Sequence, residues 1–161
     1  MALYQEWRNP RFGPPIRDGE AQIAVGLSGL KLISLDDDLL NAELLARAAR
    51  KWGYEAQSLV DPKLLPDLIR TVQPQVLTLD LRMGDITGSD VLTMLEACHY
   101  DGDVIIISGL ELAVLETVRR QALKKGLRVA GALRKPVNLS ALREILTNLP
   151  HAIAASPGAR G

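Results

Sequence analysis

From Lys31 onward, short β-rich apolar runs alternate with longer stretches of helical period. Apolar strands that alternate with amphipathic helices are typical of a parallel sheet covered by helices on both faces, with right-handed crossovers. The sequence therefore predicts an α/β fold of five strands and five helices. The predicted strands are KLISL, EAQSL, VLTL before Asp80, VIIIS ending at Ser108 and RVAGAL ending at Leu133, and helical patterns cover 39–52 and 64–72 and follow residues 88, 111 and 138.

Punctuating residues predict where the first two helices begin and end. Asp38 is a candidate N-cap of the first helix, and Gly53 follows its last turn. The pair Asp61-Pro62 opens the second helical segment. Pro66 lies inside that segment, so we expect it to delay the start of the helix.

The chain is long enough for one folded domain. Its 161 residues, 47% apolar and 24% charged, can build a single hydrophobic core. We expect a domain over 28–150, an irregular N-terminal arm over 1–27 and a flexible C-terminal tail over 151–161. The arm holds Tyr4, Trp7 and Phe12, half of the six aromatic residues. Docking of the arm on the domain or a partner, and a poorly ordered start, both remain open.

The net charge and the cysteine content restrict the kinds of binding partner and the cellular compartment that can be expected. Nineteen basic and nineteen acidic side chains cancel, which argues against nucleic-acid or membrane recruitment by overall charge. No membrane span or signal pattern is evident, so a cytoplasmic protein is expected. The single cysteine, Cys98, fits the apolar face of the third helix, which indicates core packing. His99 and His151 lack metal-ligand spacing and are interpreted as surface or cap residues.

Polar side chains follow the predicted strands at the point where each strand ends. The carboxyl ends of parallel strands share one edge, where open α/β sheets bind ligands. Clustered carboxylates repel one another unless some are protonated or a hard cation such as Mg²⁺ binds them. A lysine and a hydroxyl beside such a cluster suit phosphoryl transfer. The candidate residues are Asp36, Asp37, Asp38, Asp80, Ser108 and Lys135.

Each of these residues also has an ordinary structural explanation. The aspartates after the first strand can cap a helix, and we assign that role to Asp38. Asp80 could begin a turn, Ser108 could satisfy backbone groups and Lys135 could be a solvated surface charge. Their joint position at one sheet edge favours a functional site over coincidence.

The motifs LISLDDD, VLTLDLRMGDITG, IIISG and LRKP are similar to the four signature regions of response-regulator receiver domains. The resemblance covers about residues 30–149 and implies a flavodoxin-like (βα)5 three-layer sandwich with strand order 2-1-3-4-5. It implies that Asp80 accepts a phosphoryl group from a sensor histidine kinase or a phosphotransfer protein. It also implies a Mg²⁺ site at Asp80, with Asp37 binding directly, Asp36 through water and Arg82 through its backbone carbonyl.

The same resemblance assigns roles to the remaining site residues. Ser108 would hydrogen-bond the phosphoryl oxygens, Lys135 would pair with them, and the Lys135–Pro136 peptide bond would be cis. The protein would then be a signalling switch, with Mg²⁺-dependent self-phosphorylation and self-dephosphorylation as its only chemistry.

Two features depart from the usual receiver pattern. Ala132 occupies the position where many receivers carry a switch aromatic on the fifth strand. The fourth helical segment is long, and its amphipathic stripe includes Val114 and Leu123. This longer form resembles the receivers that precede cyclic-di-GMP phosphodiesterase domains. We therefore expect output through contact with an unidentified protein, and a homodimer through the fourth and fifth helices.

Other kinds of protein match parts of this pattern. The alternative function is a haloacid-dehalogenase-type phosphatase using Asp36, but Leu40 stands where those enzymes need Thr or Val, and no aspartate follows Lys135. A flavin-binding module would need a phosphate loop after the first strand, where three aspartates would repel phosphate. A receiver fold that is never phosphorylated would not need this set of residues.

Overall fold

The computed structural model describes residues 29–149. The predictions for the N-terminal arm, for His151 and for the C-terminal tail fall outside the described residues, so the domain boundaries remain predictions. Among the described helices, none has the length and apolar character needed to cross a membrane.

Five strands form one parallel sheet of order β2-β1-β3-β4-β5. Five α-helices connect and follow them, as the alternating pattern predicts. The fold is therefore the flavodoxin-like α/β architecture expected from the sequence. The strands are β1 (Lys31–Leu35), β2 (Glu55–Leu59), β3 (Val76–Asp80), β4 (Asp103–Ser108) and β5 (Arg128–Arg134), and the helices are α1 (Leu39–Lys51), α2 (Leu65–Val72), α3 (Gly88–Ala97), α4 (Leu112–Lys124) and α5 (Leu139–Thr147).

Alternate strand residues pack into two hydrophobic clusters on opposite faces of the sheet. Leu77 and Ile106 belong to the cluster that includes residues of α2, α3 and α4. Val76 and Ile105 belong to the cluster that includes residues of α1 and α5. Because successive side chains of a strand point to opposite faces, each strand contributes to both cores, which explains its continuous apolar sequence.

The helix boundaries follow the punctuation in the sequence. The Asp38 side chain caps α1 by accepting a hydrogen bond from the Leu40 N–H at 2.9 Å. Gly53 takes φ 100° just after that helix, a conformation that favours glycine. Asp61 caps a short 3₁₀ turn over Pro62–Leu64, and α2 begins only at Leu65. Pro66 lies in its first turn, where a missing N–H costs no helical hydrogen bond.

One feature of the fold was not predicted, and two side-chain interpretations are confirmed. The short strands Arg82–Met83 and Ile86–Thr87 pair as an antiparallel ribbon between β3 and α3. Cys98 is half-buried and packs against the core. His99 is an exposed residue with φ 52° that follows the end of α3.

A half-buried network around Glu43 ties α1 to β2. The Glu43 carboxylate accepts hydrogen bonds from the Arg50 guanidinium at 2.8 Å and from the Ser58 hydroxyl at 2.9 Å. Burial alone would raise the pKa of Glu43, but these two hydrogen bonds and the nearby arginine charges outweigh it and hold the pKa below its usual value.

Glu43→Gln is expected to lower the free energy of unfolding by about 1 kcal/mol near neutral pH. Because the pKa of Glu43 is lower in the folded state, its charged form contributes to the free energy of unfolding above the unfolded pKa of about 4.3. This contribution is lost as the pH falls through the lower folded pKa. Urea unfolding of native protein and variant at about pH 7 and at about pH 3 measures this. A difference in stability that does not shrink in acid would contradict the assignment.

Candidate functional site

The carboxyl edge of the sheet carries three carboxylates close together. Asp36 directly follows β1 and Asp80 ends β3, and these residues are only 3% and 4% exposed. Asp37 is exposed beside them. One oxygen from each of the three carboxylates lies within 4.8 Å of the others. Neighbouring parallel strands end at the same edge, so β1 and β3 hold these groups together.

Lys135 is the cation that joins two of these carboxylates. Its Nζ donates to Asp36 Oδ2 at 2.9 Å and to Asp80 Oδ2 at 3.0 Å. Its backbone N–H donates to the Ser108 carbonyl at 2.9 Å, which anchors the segment after β5 against β4. The Lys135–Pro136 bond is cis, as the resemblance implied.

Backbone groups satisfy the other oxygens of the two buried carboxylates. Asp36 Oδ1 accepts the Asp38 N–H at 2.9 Å, and Asp80 Oδ1 accepts the Arg82 N–H at 3.2 Å. Arg82 begins the short ribbon, and its side chain is exposed. The predicted role of its carbonyl as a metal ligand stays a prediction.

Burial and charge shift the pKa values at the centre of the site. Burial raises the pKa of Asp80, and the nearby Asp36 adds to the rise, while hydrogen bonds from Lys135 and Arg82 oppose it without cancelling it. Burial alone would lower the pKa of Lys135, but its hydrogen bonds to the two carboxylates outweigh burial and raise it. The lysine therefore stays charged at neutral pH, and a second cation would further favour ionised Asp80.

Ser108 ends β4 at the same edge and is fully buried. Its Oγ accepts the Leu110 N–H at 3.0 Å. No hydrogen bond joins its hydroxyl to Asp80 within residues 29–149. The hydroxyl therefore closes the turn between β4 and α4 in this structure, and its hydrogen remains available to an acceptor.

The donor set fits Mg²⁺. Hard divalent cations bind carboxylate and carbonyl oxygens, and Mg²⁺ commonly uses one or two carboxylates together with water and phosphoryl oxygens. Asp36, Asp37 and Asp80 supply the oxygens, and the exposure of Asp37 leaves one side of the cluster accessible to solvent. A bound ion would have to share the carboxylate oxygens of Asp36 and Asp80 with Lys135.

An open parallel α/β sheet with an acidic cluster beyond its strand ends belongs to the doubly wound class of ligand-binding domains. Within that class, the chain belongs to the response regulator receiver domain family, whose model matches residues 32–147. Receiver domains are the modules of two-component signalling that are phosphorylated on an aspartate. The phosphatase and flavin-binding interpretations receive no support from this match.

Three known proteins illustrate the relationship. A response regulator from Colwellia psychrerythraea has 29% sequence identity and a TM-score of 0.66, covering 74% of this chain and 95% of that one. A response regulator protein from Burkholderia pseudomallei, crystallised with a phosphorylated aspartic acid, a calcium ion and citrate, shares the fold at 21% identity and a TM-score of 0.62, covering 81% of this chain and 73% of that one. Protein RcaC of Microchaete diplosiphon is 30% identical over 67 residues, which span 42% of this chain and 10% of that protein.

Sequence reasoning missed an exposed apolar face beside the site. Leu39, Leu40 and Leu44 in the first turns of α1 are 58%, 81% and 51% exposed. The core-facing side of α1 is formed mainly by alanines together with Leu45. A helix that buries one apolar stripe does not need leucines at these positions as well. Their presence in the sequence could have predicted an exposed apolar face.

Proposed function

We propose that this protein is a phosphoacceptor response regulator of a two-component phosphorelay, phosphorylated on Asp80 with Mg²⁺ as cofactor. The observation that carries the proposal is the contact of Lys135 with both Asp36 and Asp80, at 2.9 Å and 3.0 Å, beside exposed Asp37. A lysine shared by two buried carboxylates can pair with a phosphoryl group that arrives on one of them.

In the proposed reaction, a carboxylate oxygen of Asp80 attacks the phosphorus of a phosphohistidine. The P–N bond breaks, the imidazole leaves with the electron pair and takes a proton, and Asp80 becomes an acyl phosphate. The Lys135 ammonium pairs with phosphoryl oxygens, and the Ser108 hydroxyl donates its hydrogen to one of them. Mg²⁺ held by Asp36, Asp37, Asp80 and the Arg82 carbonyl would supply charge neutralisation there.

The direct test uses a small phosphodonor. Native protein incubated with acetyl phosphate and Mg²⁺ should gain one phosphoryl group by intact mass spectrometry, and chelation of the metal should prevent the gain. Failure to form any adduct under conditions that label a known receiver domain would overturn the proposal. Turnover of phosphate esters that depends on Asp36 would instead support the phosphatase alternative.

The exposed α1 leucines support a docking site for the phosphodonor protein. Leu39 and Leu40 begin α1 immediately after the acidic residues, and α1 starts at the sheet edge where Asp80 lies. A sensor histidine kinase or phosphotransfer protein must bring its phosphohistidine to that edge. Burial of a leucine on association contributes about 1.5–3 kcal/mol, enough to favour this face for the contact.

Leu40→Asp is expected to slow phosphoryl transfer from the protein donor at least about tenfold, because a charge replaces an apolar contact of more than 1.4 kcal/mol. Labelling by acetyl phosphate should not change, since Leu40 is 81% exposed and outside the chemistry. Leu123→Asp, at a leucine of α4 that is 55% exposed, is the matched control. Equal slowing in both variants would count against a site on α1.

Output is proposed to pass through α4. Leu112, Val114 and Leu123 are 65%, 42% and 55% exposed, while Leu115 and Val118 of the same helix are buried. Ala132 is exposed on β5, so no aromatic side chain links Ser108 to this face from that position. A homodimer through α4 and α5 is expected, and monomers by light scattering with and without a phosphoryl mimic would contradict it.

A further inference from the structure

A groove opens at the edge of the sheet opposite the acidic cluster. It lies between the carboxyl-terminal ends of α2 and α3, and its volume is about 610 Å³. Ile69, Pro74, Cys98 and Tyr100 contribute to its lining. This volume is within the range of about 300–1,000 Å³ that is typical of sites for small ligands or single side chains.

One wall of the groove is preformed. The Tyr100 ring lies against Gly102, where a Cβ atom would overlap the tyrosine hydroxyl. Tyr100 is only 6% exposed, and within the described residues its hydroxyl has no hydrogen-bond partner. Glycine at position 102 therefore leaves room for the Tyr100 ring, which is held in place in the wall of the groove.

The rim of the groove is partly acidic. The Asp67 carboxylate pairs with Arg70 at 2.8 Å. Asp101 is exposed, and in the part of the chain that the structure describes its carboxylate forms no ion pair. An occupant with an aromatic side chain flanked by positive charge would match both the walls and the rim.

The chain enters the domain close to this groove. The Lys31 N–H donates to the Gln75 side chain at 2.6 Å, and Lys31 Nζ donates to the Val72 carbonyl at 3.4 Å. Gln73 and Pro74, which line the groove, lie between those two partners in the sequence. Lys31 therefore lies beside the wall formed by the end of α2.

We infer that the N-terminal arm of this same chain docks in the groove through Trp7. Trp7 lies between Tyr4 and Phe12, and this short segment holds one glutamate and two arginines, Arg8 and Arg11, which complement Asp101. The 22 residues from Trp7 to Gly29 can span at most about 75 Å and average about 25 Å as a flexible chain, so the groove is within reach. This inference does not depend on phosphorylation of Asp80.

Cys98, the only cysteine of the chain, provides the test because it lines the groove and is half-buried. Alkylation by iodoacetamide is followed by intact mass in the full-length native chain and in Trp7→Ala. A tethered segment reaches an effective concentration of the order of millimolar. A dissociation constant for docking of similar size means that the arm covers Cys98 for a large part of the time, so alkylation should be about two- to fivefold faster in the variant. Ile16→Ala, an apolar residue of the arm outside the aromatic segment, is the matched control and should alkylate at the native rate.

Two further measurements separate docking in this groove from other causes. Asp101→Asn should accelerate alkylation by a larger factor in the native background than in Trp7→Ala, because any direct effect of the charge on Cys98 is common to both backgrounds and the effect on the docked arm is not. Protection that persists on dilution supports docking within one chain, whereas protection that is lost on dilution overturns it in favour of a second copy. Equal rates in native protein and Trp7→Ala would refute docking of Trp7.

Discussion

Asp80→Asn is expected to abolish phosphoryl labelling by acetyl phosphate and Mg²⁺. Asparagine has nearly the same shape, but its neutral amide is not a nucleophile and forms no acyl phosphate. The Arg82 N–H and Lys135 bond different oxygens of Asp80, so the single oxygen of asparagine replaces only one of these acceptors, and the variant should fold with reduced stability. Intact mass measures the loss, and thermal unfolding verifies that the variant is folded.

Asp38→Asn is the matched control for that experiment. Asp38 is adjacent to the acidic pair, but its side chain caps α1, and asparagine caps helices as well as aspartate does. We expect native labelling in this variant. Labelling that persists in Asp80→Asn would show that another residue is the phosphoryl acceptor. Loss of labelling in Asp38→Asn would show that the site needs more than the acidic pair.

Lys135→Met is expected to lower the rate of phosphoryl labelling by about 10²–10³, the effect of removing one preorganised charge from a phosphoryl-transfer or oxyanion site. Methionine keeps the length of the side chain but cannot pair with phosphoryl oxygens. The two buried carboxylates would then face each other without the lysine that now bridges them at 2.9 Å and 3.0 Å. Rates of adduct formation at fixed acetyl phosphate and Mg²⁺ measure the change.

Lys125→Met is the control for charge removal. Lys125 pairs with Glu96 at 2.8 Å at the carboxyl-terminal ends of α4 and α3, away from the acidic edge of the sheet, so its loss should not alter labelling. Mg²⁺ should raise the melting temperature of Lys135→Met at least as much as that of native protein, because the carboxylates no longer share their oxygens with a lysine. Labelling at the native rate in Lys135→Met would contradict the proposed role, whatever its effect on stability.

The sequence was sufficient to predict the fold and to group several residues that meet at the carboxyl edge of the sheet. Alternating apolar runs and amphipathic stretches indicate a parallel sheet covered by helices, five strands are too few for the common eight-stranded barrel, and the carboxyl ends of the strands must share an edge. Asp36, Asp80 and Ser108 could therefore be grouped before any contact was known. Asp38 could be separated from its neighbours because a helix cap is a local interaction, determined by residues adjacent in the sequence.

Other properties of the site depended on tertiary packing. Adjacent Asp36 and Asp37 are identical in type, yet one is 3% exposed and the other lies at the surface. Lys135 donates a hydrogen bond to Asp36, from which 99 positions in the sequence separate it. Ser108 Oγ accepts a hydrogen bond from the Leu110 N–H and forms none with Asp80. No local pattern encodes these outcomes.

Local sequence is enough to specify the order of strands and helices along the chain, the strand-end residues and the caps, because propensity and periodicity act over a few neighbouring positions. Tertiary packing settles which side chains are buried, which carboxylates share the lysine, and where apolar surface is left exposed on α1. These properties arise because residues distant in sequence compete for the same space and the same hydrogen-bond partners once the layers pack.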